Sequence, residues 1–174
     1  YRRFEIVNMH DYFRNVDRMS FYDPYFHAGL MKDTRHHAYN FDNDHNGRFL
    51  IRYNQAADSD TEADYLFVHF TLSLERLTGG RLYVSGDFNG GNLTSGHEMT
   101  YDEREKTYQA TLLLKQGAYD YHYLWVPDGK TGGETRPIEG DWYETRNEYN
   151  ILLYYRQRGS RYDRLVSTLN ITTE

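Results

Sequence analysis

Cysteine is absent from the 174 residues of the chain, and its absence excludes several kinds of chemistry. Thiol catalysis, zinc sites with thiolate ligands and disulfide cross-links all require cysteine sulfur. Long apolar runs are also missing. None reaches the roughly 18 residues that a membrane-spanning helix needs, so we expect no direct membrane insertion. Only 3 prolines are present and no segment is of low complexity, which argues against a disordered chain.

An excess of positive charge is lacking as well. The chain has 20 lysines and arginines against 26 aspartates and glutamates, which gives a formal net charge of −6. Because proteins bind nucleic-acid phosphates through basic patches, we expect no nucleic-acid partner. The first residues, YRRFEIVN, contain neither an initiator methionine nor a signal-peptide pattern. They predict that the chain is a fragment of a longer protein and that any targeting segment lies outside it.

The chain is instead rich in aromatic residues and in strand periodicity. Aromatic residues make up 17% of it, with 18 tyrosines, and such residues suit the half-buried surface of a sheet. The clearest alternation, DYLFVHFTLSLE (residues 64–75), places every second residue from Leu66 to Leu74 on one face. We expect this strand to form a hairpin with RLYVSG (81–86). Further strands are predicted over residues 107–115, 118–126, 147–158 and 162–172, with a turn or bulge at Gly117.

These elements predict an all-β fold of one domain. Short strands with turns every 8–12 residues or so, and no sustained helical period, are typical of an immunoglobulin-like antiparallel β-sandwich. No composition shift marks a linker, so residues 1–174 are predicted to form a single sandwich domain. Its core is expected within residues 62–172, whereas residues 8–46 are expected to form irregular strands linked by long loops.

The stretch DNDHNG (residues 42–47) matches the first half of a calcium-binding loop. Its alternating oxygen donors, Asp42, Asp44 and Asn46, could converge on one hard cation. However, the twelfth loop position holds Tyr53 instead of a bidentate glutamate, and no flanking helices are evident. A turn rich in aspartate and asparagine explains the same residues. We therefore predict no metal and no other cofactor, with calcium at these three residues as the alternative.

No catalytic constellation is evident in the sequence, and we predict no catalytic residue. The adjacent His36 and His37 would point to opposite faces of a strand and could not easily share a metal. An acidic run consists of Glu139, Asp141, Glu144 and Glu148. It would serve hydrolysis only if two of its carboxylates faced each other across a cleft. Arg136 and Arg146 lie within the same run and favour structural ion pairs instead.

One predicted strand carries a row of aromatic rings that bears on binding. Its members are Tyr119, Tyr121, Tyr123 and Trp125, which alternation places on a single face. Such a face could stack on sugar rings, contact a protein partner or pack in the core. The turn VSGDFNGG (84–91) precedes it, and the sequence alone leaves open whether this turn binds a glycan or shapes the scaffold.

The blocks LYVSGDFN (82–89), MTYD (99–102) and GAYDYHYLWVPDG (117–129) resemble the early-set immunoglobulin-like modules that bind glycogen and starch. The resemblance implies a sandwich of the early-set type. Those modules normally carry a tryptophan shortly after the FN pair, where it contributes to the sugar platform. Here Gly90 and Gly91 occupy that place. The turn is kept without its stacking residue, and this weakens the implication of glycan binding.

A resemblance that covers nearly the entire chain rests on six blocks in order. They are RRFEIVN, DNDHNGRF, ADYLFVHFTL, MTYDEREKTYQATLLLKQGAYDY, IEGDWYETRNEYNILLYYR and GSRYDRL. In this order and spacing they are similar to the plug-protein family of the type IX secretion system of Bacteroidetes, long catalogued as a domain of unknown function. The resemblance implies that this chain is the C-terminal half, with an N-terminal domain and a signal peptide outside it.

This second resemblance also implies a role without catalysis. Members of the family are exported to the periplasm and associate with a very large translocon barrel in the outer membrane, and one occludes the periplasmic end of that barrel. We expect the partner contact at Trp142, Tyr143, Tyr154 and Tyr155, and a local ion pair between Arg161 and Asp163. The alternative is a carbohydrate-binding sandwich that holds a glycan on Tyr119, Tyr121, Tyr123 and Trp125.

Overall fold

Strands account for nearly all of the regular structure, and each helix is about one turn long. The computed structural model describes residues 1–11, 13–39 and 44–173. The chain divides into two compact units: residues 1–141, here called the sandwich unit, and residues 142–174, here called the hairpin unit. The prediction of an all-β, immunoglobulin-like sandwich is confirmed. The sandwich is smaller than the predicted range of 1–174, because the hairpin unit is separate from it.

The first sheet of the sandwich unit is organised around one long strand, β10 (Gly117–Pro127). The first half of β10 pairs antiparallel with β1 (Arg2–Ile6) on one side and with β5 (Phe49–Ile51) on the other. Its second half pairs antiparallel with β7 (Gly80–Ser85). Side chains on both faces of β10 are buried, which explains why its sequence is rich in large apolar and aromatic residues.

The second sheet is mixed. Along the described part of the chain its strands are β2 (Val16–Tyr22), β3 (Tyr25–Leu30), β6 (Tyr65–Ser73), β9 (Thr107–Lys115) and β8 (Thr100–Asp102) in that spatial order, and β4 (Asp33–Thr34) also pairs with β6. Both β3 and β4 run parallel to β6, unlike the antiparallel arrangement predicted from the sequence. The segment 8–46, predicted to form irregular strands and long loops, contains the hairpin of β2 and β3, whose register shifts between Val16 and Arg18.

Strand β6 shows how the sequence builds the core. Its side chains alternate between buried and partly exposed over nine residues, as the period of two predicts. Leu66, Val68 and Phe70 are paired in register with Leu114, Leu112 and Ala110 of β9 and face the core together. Phe70 also meets the aromatic rings of the first sheet, with ring centroids 5.8 Å from Phe4 and 5.2 Å from Tyr121. Burial of apolar surface between the sheets is the dominant favourable term in folding, and these rings are part of that surface.

The boundaries of the core differ from the prediction at both ends. Core residues occur well before position 62: they include Phe4, Ile6, Val16, Ala28 and Leu30. At the other end, Ile138 is the last core residue among those described. The predicted core of 62–172 was therefore wrong, because it left out strands β1 to β3 and included a hairpin that contributes nothing to this core.

The predicted hairpin of residues 64–75 and 81–86 was also wrong. The first segment forms β6 in the second sheet, and the other forms β7 in the first sheet. The chain also changes sheets between β9 and β10, at Gln116 and Gly117. A side chain at Gly117 would overlap the carbonyl oxygen of Leu50 in β5. Glycine is thus required there because two backbones approach closely, and the predicted turn at Gly117 is a crossing between sheets.

In the described part of the chain, two short α-helices lie between strands. Helix α1 (Ser59–Glu62) begins at Asp58, whose side chain accepts a hydrogen bond from the backbone N–H of Asp60. Helix α2 (Arg136–Glu139) has Pro137 in its first turn, where a missing N–H costs nothing, and buries Ile138 in the core. In the described residues, no helix has the length and apolar character needed to cross a membrane.

The alternation in β6 and β9 predicts very different costs for the same substitution on the two faces. Leu66→Ala is expected to lower the free energy of unfolding by about 2–5 kcal/mol, because it leaves a cavity in the core. Leu113→Ala truncates a leucine on the outward face of β9 instead. This substitution is expected to change the free energy of unfolding by about 0.5 kcal/mol or less. Denaturant unfolding measures both values. Equal losses would contradict the assignment of faces.

Candidate protein-binding surface

The aromatic row of β10 is part of the core and not a surface platform. Tyr119, Tyr121, Tyr123 and Trp125 are each at most 9% exposed. The ring of Tyr119 stacks on Phe4 at 5.1 Å, and the ring of Tyr121 meets Phe70 edge-on. The prediction that these four rings could hold a glycan was therefore wrong. Alternation identified the face correctly, but it cannot reveal whether a second sheet covers that face.

The turn after β7 shapes the scaffold. Residues Asp87–Asn89 form one 3-10 turn, and Gly90 ends it in the left-handed conformation with φ 57°. A side chain at Gly86 would lie 2.7 Å from the carbonyl oxygen of Asp120 and would overlap the ring of Phe88. Glycine is thus needed at both ends of this turn. At Gly86 it permits close packing, and at Gly90 it permits a positive φ. These requirements explain the GDFN pattern without a ligand.

A buried ionic network ties the first sheet to α2 and β4. Arg2, from β1, donates to Asp33 at 2.8 Å and pairs with Glu139 at 3.1 Å. The hydroxyls of Tyr121 and Tyr123 donate to the other oxygen of Asp33, at 2.8 and 2.6 Å. Two tyrosines of the aromatic row thus serve as hydrogen-bond donors whose rings fill the core. The sequence offered no sign of this network, since its members lie far apart along the chain.

Burial and the neighbouring carboxylate shift the titration of this network. Burial, and then the charge of Asp33, raise the pKa of Tyr121 well above its ordinary value. Burial, the neighbouring Tyr121 and Asp33 do the same for Tyr123. Burial disfavours the charge of Arg2, but the carboxylates of Asp33 and Glu139 outweigh it and raise the pKa of the guanidinium. The native state therefore holds the arginine charged and both tyrosines neutral.

The acidic run is divided between the two units and is partly engaged in ion pairs. Glu139 accepts hydrogen bonds from Arg2 and from the backbone N–H of Tyr123. Asp141 pairs with Arg136 at 3.5 Å on the surface. In the hairpin unit, Glu148 accepts a hydrogen bond from Asn170, and Glu144 is exposed. Glu139 and Asp141 thus have structural partners, and we assign no catalytic role to the run.

The calcium alternative is only partly within the described residues, because Asp42 lies outside them. Asp44 accepts a hydrogen bond from the backbone N–H of Asn46 at 2.9 Å, which is the geometry of a plain turn. Of the residues that the structure describes, no three histidines, aspartates or glutamates are grouped so that they could hold a metal ion. His36 lies 3.3 Å from Glu139 as part of the ionic network.

A pair of histidines that the sequence analysis missed lies on the outer face of the second sheet. His27 Nδ1 and His69 Nε2 are 2.9 Å apart, and His69 Nδ1 is 2.9 Å from the hydroxyl of Thr111. Partial burial, and then the charge of His27 and Arg18, lower the pKa of His69. The parallel pairing of β3 with β6 brings the two histidines together. Periodicity cannot predict such a pairing, so the sequence held no signal for it.

The hairpin unit is a two-stranded antiparallel ladder with no buried side chain among its described residues. Strand β11 (Glu148–Tyr155) pairs with β12 (Arg164–Thr172), and a bulge lies between Leu153 and Tyr154. At the open end, Asn147 and Thr173 exchange hydrogen bonds. At the tip, Arg156 donates to both oxygens of Asp163, at 2.7 and 2.8 Å. The prediction that Asp163 pairs with Arg161 was therefore wrong, because its partner is Arg156.

One face of this hairpin, here called the apolar face, carries side chains that alternate along both strands. By the pairing register these are Tyr149, Ile151, Leu153 and Tyr155 of β11 with Leu169 and Ile171 of β12, and they are 44–57% exposed. The opposite face is polar towards the open end, where Asn170 donates to Asn150 and Glu148. Nearer the tip this opposite face also carries apolar side chains, which are Leu152 and Tyr154 of β11 and Leu165 of β12. The hairpin is thus amphipathic towards its open end.

The four residues predicted to contact a partner do not form one flat patch. Tyr143 is 95% exposed, whereas Trp142 is half-buried. Tyr154 and Tyr155 are both exposed but are neighbours on one strand, so they point to opposite faces. Tyr155 belongs to the apolar face and Tyr154 to the other. The sequence identified a segment whose tyrosines are exposed, but it did not resolve the two faces of that segment.

Comparison with known proteins shows a similarity to a solved structure. A crystal structure of a hypothetical protein from Parabacteroides merdae ATCC 43184 matches with a TM-score of 0.89 and 43% sequence identity. The match covers 99% of this chain and 44% of that one, so this chain spans less than half of the relative's length. No model of a known protein family matches, and no curated protein does. The similarity supports the fold of both units and assigns no activity to them.

The buried network predicts a large loss of stability when one partner is removed. Asp33→Ala leaves the charge of Arg2 and two tyrosine hydroxyls short of an acceptor, so we expect a loss of about 3–5 kcal/mol in the free energy of unfolding. Asp141→Ala is the matched control. Its exposed pair with Arg136 is expected to contribute about 0–1 kcal/mol. Denaturant unfolding measures both values. If the two variants lost the same free energy of unfolding, the network would not have the stabilising role assigned to it.

The raised pKa values of Tyr121 and Tyr123 predict weakening at alkaline pH. An unfolded tyrosine titrates near pH 10, whereas the native state keeps these protons to higher pH. The unfolded state therefore binds fewer protons above about pH 10, and the free energy of unfolding falls as pH rises from there. Tyr121→Phe should make that fall shallower, whereas Tyr143→Phe, at an exposed position, should not. Urea midpoints at several pH values measure the slopes, and identical slopes would refute the prediction.

Proposed function

We propose that this chain is part of a longer, non-enzymatic protein of the type IX secretion system, located in the periplasm at the outer membrane. Its role is to bind the translocon barrel and to close the pore of that barrel when no substrate passes. The observation that carries the proposal is the hairpin unit, which exposes tyrosines and aliphatic side chains on both faces instead of burying them. Large exposed apolar surfaces on soluble proteins mark sites of interaction.

The sequence supports the choice of family. The six ordered blocks that resemble plug proteins extend over both units, and two of them, IEGDWYETRNEYNILLYYR and GSRYDRL, supply most of the hairpin unit up to residue 165. The blocks therefore include the surface that would meet a partner as well as the scaffold. A relative that is much longer than this chain agrees with a protein of more than one part.

The physical character of the two units suits a plug. A plug must be stiff, and the sandwich unit joins its sheets by a filled aromatic core and a buried ionic network. It must also present a contact surface that tolerates water when unbound. Tyrosine and arginine meet that requirement because they combine a large contact area with a polar end, and both are enriched at interfaces. Tyr143, Tyr154 and the arginines at the hairpin tip are of this kind.

Glycan binding receives no such support. The four rings predicted as its platform are enclosed between the sheets, so a sugar could reach them only if the core opened. The GDFN turn is explained by packing at Gly86 and by the positive φ at Gly90. A protein partner is therefore the better proposal.

The proposal predicts that the barrel is recovered from outer membranes by this protein through its exposed tyrosines. The bait is the tagged product of the natural gene, incubated with solubilised outer membranes. Tyr143→Ala combined with Tyr154→Ala should reduce recovery of the barrel at least about tenfold, because exposed tyrosines at the centre of a contact carry much of its binding energy.

Tyr22→Ala combined with Tyr65→Ala serves as the matched control for this experiment. It removes two exposed tyrosines from the outer face of the second sheet and should leave recovery unchanged. Failure of the wild-type bait to recover any barrel, in detergent that preserves barrel complexes, would refute the proposed function. If both double variants reduced recovery of the barrel equally, the hairpin unit would not be the contact surface.

A further inference from the structure

The apolar face of the hairpin unit is a surface that needs a permanent cover. A two-stranded hairpin alone is at best marginally stable in water, because two strands cannot bury a core of their own. Six large apolar side chains on this face are about half exposed, and nothing in the described part of the hairpin unit is buried. An uncovered apolar ladder with two open edges would also be prone to aggregate. The hairpin must therefore obtain its burial from another surface.

We propose that the apolar face docks against the part of the same protein that lies outside residues 1–174. The inference rests on the proposed function in one respect, namely that this chain is part of a longer protein. The surface opposite is an apolar one, rich in aliphatic or aromatic side chains, because the apolar face carries no carboxylate and only Arg164 as a charge, at its tip. The contact is intramolecular and exists before any partner is met.

The length of the relative favours this occupant. Nearly all of this chain, hairpin included, matches the Parabacteroides merdae structure, and more than half of that chain lies outside the match. A covering surface in the same polypeptide is present at high effective concentration at all times. A translocon barrel would leave the hairpin uncovered whenever the protein was free. A second copy would cover it only above the concentration at which dimers form.

The two faces of the hairpin then have different roles. The apolar face, with Tyr155, anchors the hairpin to the rest of the protein. The opposite face keeps its polar ladder of Asn150, Asn170 and Glu148 in water and leaves Tyr154 accessible. This division explains why neighbouring tyrosines at the end of β11 are both exposed in the present chain, although only one of them would be available to a partner.

Single cysteines provide the test, because the chain itself has none. Ile151 and Leu152 are 51% and 52% exposed here, and they lie on the apolar face and on the opposite face respectively. Ile151→Cys and Leu152→Cys are each made in the natural gene product, after any cysteine outside residues 1–174 has been replaced by serine. Thiol labelling by a maleimide is then followed without barrel, at several protein concentrations. Thr168→Cys and Leu169→Cys repeat the comparison on β12 if a variant fails to fold.

The proposal predicts that Ile151→Cys is labelled at least about tenfold more slowly than Leu152→Cys at every concentration, since reaction requires the covering surface to open. Equal rates would overturn it. Protection that grows with protein concentration would assign the face to a second copy, and protection that needs added barrel would assign it to the translocon. Equal protection in the 174-residue chain alone would assign it to residues 1–141. Each of these results overturns the proposal. A natural gene product no longer than this chain would also overturn the proposal. Because the labelling needs no barrel, its failure is distinguishable from failure of the proposed function.

Discussion

Burial of β10 on both faces is the constraint on which the rest of the structure depends. One strand of eleven residues is shared by β1, β5 and β7, so three segments that are distant in sequence are held by one ladder. Its tyrosines fill the space between the sheets and donate their hydroxyls to Asp33, which in turn holds Arg2. Apolar burial and hydrogen bonding to the ionic network therefore meet on the same two side chains, Tyr121 and Tyr123.

This arrangement completes the sandwich by residue 138 and leaves the hairpin unit without a share of the core. The difference between a filled scaffold and a ladder with no buried side chain is the feature on which the proposed function rests. A scaffold closed on itself supplies stiffness, whereas a two-stranded ladder with no buried side chain is at best marginally stable by itself. The same reasoning separates the two faces of the hairpin, because one is apolar along its length and the other becomes apolar only near the tip.

The sequence predicted local structure well where the period of two is clear, as in β6, β9 and β11. It also identified the aromatic face of β10 and the segment with exposed tyrosines. It could not predict which strands pair, because alternation specifies a face and not a neighbour. Hence β7 was placed beside β6, and the pair of His27 with His69 was missed. The network of Arg2, Asp33 and Glu139 was invisible for the same reason, since its members meet only after both sheets have formed.

Hydrogen exchange of the 174-residue chain tests the central claim most directly, namely that the core is complete without the hairpin unit. The amides of β6 and β10 are predicted to exchange slowest, since they open only with the whole sandwich. Those of β11 and β12 are predicted to exchange faster by orders of magnitude in the monomer, because no apolar cover protects that ladder. Hairpin amides as slow as those of β10 in a monomeric sample would contradict the claim.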